Sequence, residues 1–450
     1  MAMTWSQLLS PQRFRAKNGE IIPTVTPSTQ EGIDALRTDF HIDYDRVVFS
    51  GAFRRLGRKT QVHPLAEHDL THNRLTHSVE VASVGRSLGN RVGVMLQTGG
   101  FLPENNTPGD IGAVVQVACL AHDLGNPPFG HTGEDALRHW FRKETNLRFL
   151  TSLSEAELSD VQTYEGNAHS LRIVANLEMY PDAGGMRLSA ASIGALIKYP
   201  WTSQGPRGRS KFNIYQTELP FIRRVAAELG LLEAGCDQWV RHPLSYLMEA
   251  SDDICYALLD LEDAVELELL TDTEVESVLS ELTFEESTWH AQSSRQRCAM
   301  LRGIAIGKAI EDAAQTFMKH QSDLLSGEFK GKDLISLCSP QVQNTLEKAK
   351  ELARTRIFRH RTKLMTEIAT FPCLGSILDL FVPAAHALLV ERKLDVRQSL
   401  ILDLLKNHNP ILETDSLYQA YMKILDFVGG MTDNAAAKMA QDLSGTGILR

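Results

Sequence analysis

The chain has 450 residues, 43% of them hydrophobic and 23% charged, an ordinary globular composition with ample length for a large core. A net charge of -10 argues against a general nucleic-acid binder, although local basic patches survive within it. Six scattered cysteines without a C-x-x-C pair (Cys119, Cys236, Cys255, Cys298, Cys338, Cys373) argue against a zinc ribbon or disulfide scaffold and for a reducing compartment.

The first segment, Met1 to Ser28, is rich in Pro, Ser, Thr and Lys/Arg and reads as an irregular arm, or one ordered only by packing on the rest. It has no apolar signal core, and no stretch of the chain reads as long and apolar enough to span a bilayer, so the protein reads as cytoplasmic. Asp45 to Leu56 reads as one helix that packs through Val47, Val48, Phe53 and Leu56. Its end carries Arg54, Arg55, Arg58 and Lys59, a charge run that fits a solvated face or a phosphate site equally well. Thr60-Gln61-Val62 reads as a short extended segment. Thr76 is a candidate N-cap for a helix with Val81, Val84, Leu88, Val92 and Met95 on one stripe. His77 lies on the same stripe, as a core residue or as a ligand facing inward.

Asp110 is the candidate cap of the next helix, which places Ile111, Val115, Ala118 and His122 on one face. The run Ala118 to Glu134 then brings His122 and Asp123, a Gly/Pro-rich stop (Gly125, Pro127, Pro128), and His131 with Glu134 three residues on. A helix restarting near Thr132 aims His131 and Glu134 at one spot. Glu165 to Arg172 and Ser189 to Tyr199 read as helices, and Trp201 to Gln216 as a basic loop with Arg207, Arg209 and Lys211. Arg241 to Asp263 reads as a helix with a polar stripe of Ser245, Glu249, Asp252, Tyr256 and Asp260 that lacks Lys and Arg. Such a stripe suits a cleft holding a cation, or an acidic surface. The rest is helical in texture, with a basic tract at Lys348 to Lys363 and a buried-helix candidate, Ile377 to Val390, kinked at Pro383. β-branched alternation is scarce, so the fold class is all-α.

Two inward histidines on successive helices beside a carboxylate suggest a metal site of His77, His122, Asp123 and Asp252. Imidazole and carboxylate suit a borderline or hard divalent ion, such as Mg, Mn or another transition metal. On that reading His131 is a candidate general acid and Glu134 its tuning partner. There is no Walker-type loop and no dinucleotide fingerprint, so separated basic segments would serve a polyanionic substrate.

These residues resemble the HD-domain phosphohydrolases, whose hallmark is His…His-Asp…Asp. The segments Asp45-Arg46 through Leu56, Lys59 to Val62, Arg74 to His77, His122 to His131, Glu165 to Ala168 and Glu249 to Tyr256 look like the bacterial deoxyguanosine triphosphate triphosphohydrolase (dGTPase) family. His169 stands where that family suggests Gln, and His72 where Arg is common. The resemblance implies an HD-domain helical core with additional C-terminal helices: an arm over 1–40, a catalytic core over 41–270 and a helical region over 271–450 packed on it. It implies a divalent metal ion and hydrolysis of a dNTP to a deoxynucleoside and intact triphosphate. By carry-over, His77, His122, Asp123 and Asp252 hold the metal, and His131 with Glu134 is the catalytic pair. Arg74, Lys198, Lys211 and Tyr256 contact phosphates, and Gln61 and Asp260 read the 3′-hydroxyl side of the sugar. The family also implies a homo-oligomer, often a hexamer, with a nucleotide effector or single-stranded DNA as further partners and no membrane. The competing readings are another HD-domain nucleotide phosphohydrolase, acting on monophosphates or alarmones, and a non-catalytic nucleotide sensor or single-stranded nucleic-acid binder using Arg354 to Lys363.

Overall fold

Helix Arg74–Thr98 starts at Asn73, whose side chain accepts from the Leu75 and Thr76 amides. Thr76, the expected cap, is instead the return half of this capping box, its hydroxyl accepting from the Asn73 amide at 3.1 Å. The same displacement occurs one helix later. Pro108–Ala121 is capped by Thr107, and Asp110 reaches back to it as the fourth residue of the box. In both cases the i, i+3 polar pair is visible in sequence, and the end that faces the chain entry is the cap. These two helices pack backbone to backbone. A β-carbon on Gly89 would meet Gly112 Cα at 2.8 Å, and one on Gly93 would meet Pro108 Cα at 2.7 Å. Residues without side chains at these crossings therefore set how closely the two site-bearing helices approach.

The computed structural model describes residues 2–17, 19–24, 37–61, 72–181, 183–206, 210–266, 269–283, 293–356 and 361–449. Within them the protein is all-α, with two small antiparallel hairpins, Phe14–Lys17 with Glu20–Pro23 and Glu233–Gly235 with Gln238–Trp239. The helix Pro243–Glu266 packs on both site-bearing helices, and Ser294–Lys319 and Pro340–Arg356 cover it. Their apolar faces form one core. A second core gathers Leu137, Trp140 and Phe141 of helix Gly130–Arg142 with Arg361–His386, Leu417–Gly429 and Asp433–Leu443. The loop from His122 to Phe129 runs from the first core to the second.

Two further expectations are corrected. The described part of the N-terminal arm is ordered by packing on the rest: helix Trp5–Leu8 and the first hairpin are held because Trp5, Leu8, Leu9 and Phe14 are buried in the first core. Asp45 to Leu56 is not one helix, since Asp39–Val48 ends before Ser50, which caps Gly51–Arg55 by accepting from Phe53 N at 3.1 Å. One stretch, Lys363–Glu391, is long and apolar enough to cross a membrane by length and composition. Much of its apolar length, Leu374, Ile377, Leu378, Phe381 and Val382, is buried in the second core, which explains the same composition in a core helix. It runs through Pro372 and Pro383 to a π-helical turn at Ala387–Glu391.

His242 joins the arm to the core. Its Nε2 donates to the Leu8 carbonyl at 3.0 Å, and its Nδ1 accepts from Leu244 N at 3.1 Å. Burial pushes the ring down to about 4. The unfolded chain binds a proton here near pH 6.5 and the folded chain only near 4, so stability falls as pH drops through that window. The full contribution is about 3 kcal/mol. His242→Asn is expected to lower stability at neutral pH and to flatten its acid dependence between these limits, read from urea midpoints at stepped pH.

Candidate active site

A cavity of about 390 Å³ opens where the two cores meet, within the size range of small-ligand sites. Of the twelve residues singled out in sequence, Gln61, Arg74, His77, His122, Asp123, His131, Glu134, Lys198, Lys211, Asp252 and Tyr256 line it. The twelfth, Asp260, belongs to helix Pro243–Glu266, but its side chain lies outside the described residues, as do Val62, Arg207 and Arg209.

His77, His122 and Asp252 each offer a ligand atom within 4.8 Å of the others. Asp252 Oδ1 is 3.2 Å from His77 Nε2 and 3.6 Å from His122 Nε2. The His122 Nδ1 donates to the Cys119 carbonyl at 2.6 Å, which fixes the tautomer and points Nε2 at the carboxylates. Asp123 Oδ1 lies 3.6 Å from His122 Nε2, while its Oδ2 accepts from Arg74 at 2.8 Å. Burial disfavours charge on His122, but Asp123 and Asp252 outweigh it and push the imidazole up to about 9. Burial likewise works against the Asp123 carboxylate, yet Arg74, then His122 and His77, hold it down at about 2. Asp252 is held well below the usual carboxylate range by the two histidines, against its burial. The two imidazole nitrogens and the Asp252 carboxylate converge closely enough to suit a divalent cation, and Asp123 stands beside them with its oxygens accepting from Arg74 and Asn126.

Opposite this group, His131 Nδ1 sits 3.2 Å from Glu134 Oε2. The His131 side chain is 78% exposed and that of Glu134 only 7%. Glu134 is fixed from behind, its Oε1 accepting from Gly166 N at 2.7 Å. Burial raises the Glu134 carboxyl, but the hydrogen bond and charge of His131, with Arg138, hold it below its ordinary value.

Arg74, Lys198, Lys211 and Lys363 give the cavity its basic wall. Lys198 pairs with Glu249 at 3.1 Å, and Glu249 also binds Arg241. The Gln61 Oε1 is buried at the cavity wall without a hydrogen-bond partner among the described residues, an acceptor that a bound hydroxyl or amine would satisfy.

Thr60, Asn126, Asn167, Thr366, Glu367 and Thr370 also line the cavity, as does Lys363, and none was singled out from sequence as a site residue. Lys363, Thr366, Glu367 and Thr370 repeat at helical spacing on an otherwise apolar helix, and that polar stripe was the available signal. The basic tract before them is mostly paired with acids: Lys348 with Glu281, Lys350 with Asp253, Arg354 with Glu351 and Arg356 with Glu274. His169 lies behind the loop, 1% exposed, against the Tyr164 ring.

The stop after His122 is tight. A β-carbon on Gly125 would stand 2.1 Å from Ser170 N and 2.2 Å from Gly166 O, both backbone atoms of helix Gly166–Arg172. Gly125→Ala is expected to destabilise the protein by about 3 kcal/mol, read from its urea unfolding curve.

All-α architecture with histidines and aspartates meeting at a helix end defines the class: the site is that of an HD-domain phosphohydrolase, and an HD domain is matched over residues 74–165. A deoxyguanosinetriphosphate triphosphohydrolase-like protein from Pseudomonas aeruginosa (strain LESB58) is 44% identical over 91% of this chain and 94% of its own length. Another protein of that description, from Synechocystis, is 34% identical over 98% and 99%. A deoxyguanosinetriphosphate triphosphohydrolase from Klebsiella pneumoniae subsp. pneumoniae is 30% identical over 90% and 94%. The chain belongs to this family and is a hydrolase of the dNTP triphosphohydrolase type.

Proposed function

We propose that the protein hydrolyses dGTP, with other dNTPs within its range, to the deoxynucleoside and intact triphosphate. The observation that carries this reading is one cavity holding a His/His/Asp group, a basic wall and a Gln61 acceptor without a partner among the described residues. His77, His122, Asp123 and Asp252 would hold a divalent metal, whose bound form polarises a phosphoryl oxygen and makes water acidic enough to attack. Arg74, Lys198 and Lys211, with Tyr256, bind the triphosphate and orient its α-phosphorus. Gln61 and Asp260 read the 3′-hydroxyl side of the sugar, and the Tyr256 ring beneath the sugar disfavours a 2′-hydroxyl. Glu134 keeps a proton on His131 Nδ1, so Nε2 is the atom that passes a proton to the leaving 5′-oxygen. The acid–base contribution is worth about 10²–10⁴-fold.

The exposed stripe Leu364, Met365, Ile368 and Phe371 supports assembly into a homo-oligomer, the hexamer being the form to test by light scattering. The discriminating experiment is ion-pair chromatography of the products from each dNTP and from GTP, with Mg²⁺ or Mn²⁺, singly and in mixtures. Triphosphate and deoxynucleoside from dNTPs, and not from GTP, is the expected result. Pyrophosphate with dNMP would overturn the reading. Activation in mixtures would reveal a nucleotide effector site, and activation by added oligonucleotide a single-stranded DNA site.

A further inference from the structure

Asp433 begins the last long helix, more than 300 positions from the segments it touches. It is 2% exposed and does not line the cavity. Both its oxygens are committed to the cavity wall. Oδ1 accepts from Phe129 N at 2.9 Å, and Oδ2 accepts from Thr60 N at 3.0 Å and from the Thr60 hydroxyl. Phe129 sits two residues before His131 and has a left-handed backbone, with φ of 64°. That conformation is unfavourable for a side-chain-bearing residue and persists only where its surroundings hold it. Thr60 precedes Gln61 and bridges to Asn73 at the start of the His77 helix.

A second link runs beside the first. The Lys59 ammonium, 3% exposed, donates to the carbonyls of Asn126 at 2.6 Å and Gly429 at 2.7 Å. The Asn126 side chain in turn donates to Asp123 Oδ1. Two adjacent parts of the C-terminal region, Gly429 and Asp433, thus tie down two cavity-lining segments: the 59–61 strap and the 123–129 loop, whose last residue, Phe129, leads into the His131 helix.

We propose that Asp433 is a positioning residue for the hydrolytic reaction, setting the His131 helix and the Gln61 strap at a fixed separation across the cavity. The inference rests on the function proposed above for His131 and Gln61. Asp433 touches no substrate; it acts through the Phe129 and Thr60 amides. An Asn at this position presents an NH₂ to one of those two amides, so one wall is released while the other stays held. Displacement of a reacting group by about 1 Å costs on the order of 10²-fold in rate.

The test is a double-mutant cycle on the full-length, metal-loaded protein. Asp433→Asn is expected to lower kcat about 10²-fold, with bound metal per chain unchanged by elemental analysis. Thr60→Val, which deletes one hydrogen bond and keeps the backbone one, is expected to act in the same direction to a smaller extent. In a His131→Ala background the kcat cost of Asp433→Asn is expected to shrink, because the proton-passing group is gone and only the placing of the Gln61 strap is left to lose. An equal cost in both backgrounds would mean a merely structural role and overturn the proposal. The ¹⁵N shifts of the His131 ring give a readout independent of turnover. A change in Asp433→Asn supports the proposal, and unchanged ring shifts in Asp433→Asn overturn it. A wild-type protein that releases no triphosphate would count against the proposed function alone, and the ring shifts would still decide the positioning role.

Discussion

Asp252→Asn is expected to abolish tight metal retention and to lower dNTP turnover by at least about 10³-fold, with the helical far-ultraviolet signal intact. Asp252 Oδ1 is within 3.6 Å of both His77 Nε2 and His122 Nε2, so one oxygen serves the whole group. An amide offers that position a neutral oxygen or an NH₂ in place of an anion. The Lewis-acid contribution at stake is several kcal/mol, and each 1.36 kcal/mol is tenfold in rate. Elemental analysis after dialysis and product chromatography give the two readouts. Full metal content in the variant would refute the ligand assignment. Normal metal with lost turnover would move Asp252 from ligand to substrate contact.

Arg172→Met is expected to cost about 3–5 kcal/mol of stability, the largest effect of any change away from the cavity. The Arg172 guanidinium is buried with two carboxylates. It donates to Asp426 at 2.6 and 2.7 Å and to Glu218 at 2.8 Å. Asp426 lies on a helix of the second core and Glu218 at the start of helix Leu219–Leu229 on the first, so the cation ties the two halves. Its removal leaves buried anions without their compensating charge. Burial already raises the Glu218 carboxyl despite Arg172, and without the cation it rises further. The folded variant therefore binds protons that its unfolded chain does not, so the deficit shrinks as pH falls through the acid range. Urea midpoints for both proteins from neutral to acid pH check the magnitude and the sign. A deficit that is constant with pH would show that the lost energy was packing alone.

Local chemistry was legible in sequence where one short segment carries it. The His122–Glu134 segment announces itself because ligand types, helix stop and second His/Glu pair are contiguous. The helix stripes at Val81–Met95 and Ile111–His122 follow from a 3.6-residue period and need no partner to be seen. Sequence does not distinguish the cap from its return partner, because Asn73/Thr76 and Thr107/Asp110 are both polar pairs at one spacing. The entry direction of the chain chooses between them, and that direction is set outside the helix. The break at Ser50 was missed for a related reason, since apolar residues run on both sides of it.

Sequence by itself determined the all-α class, the inward histidines on two helices and the His131/Glu134 pair, because each depends on neighbours within about two turns of helix. Only the tertiary structure decided that helix Arg361–His386 supplies a wall through Lys363, Thr366, Glu367 and Thr370. It alone decided that Lys59 is a buried clasp and not part of a solvated charge run. It alone decided that Asp433 reaches both the Thr60 and the Phe129 amides. A buried ion or hydrogen bond is stabilised by whatever polar group reaches it through space. That partner lies hundreds of residues away, and neither spacing nor period records it.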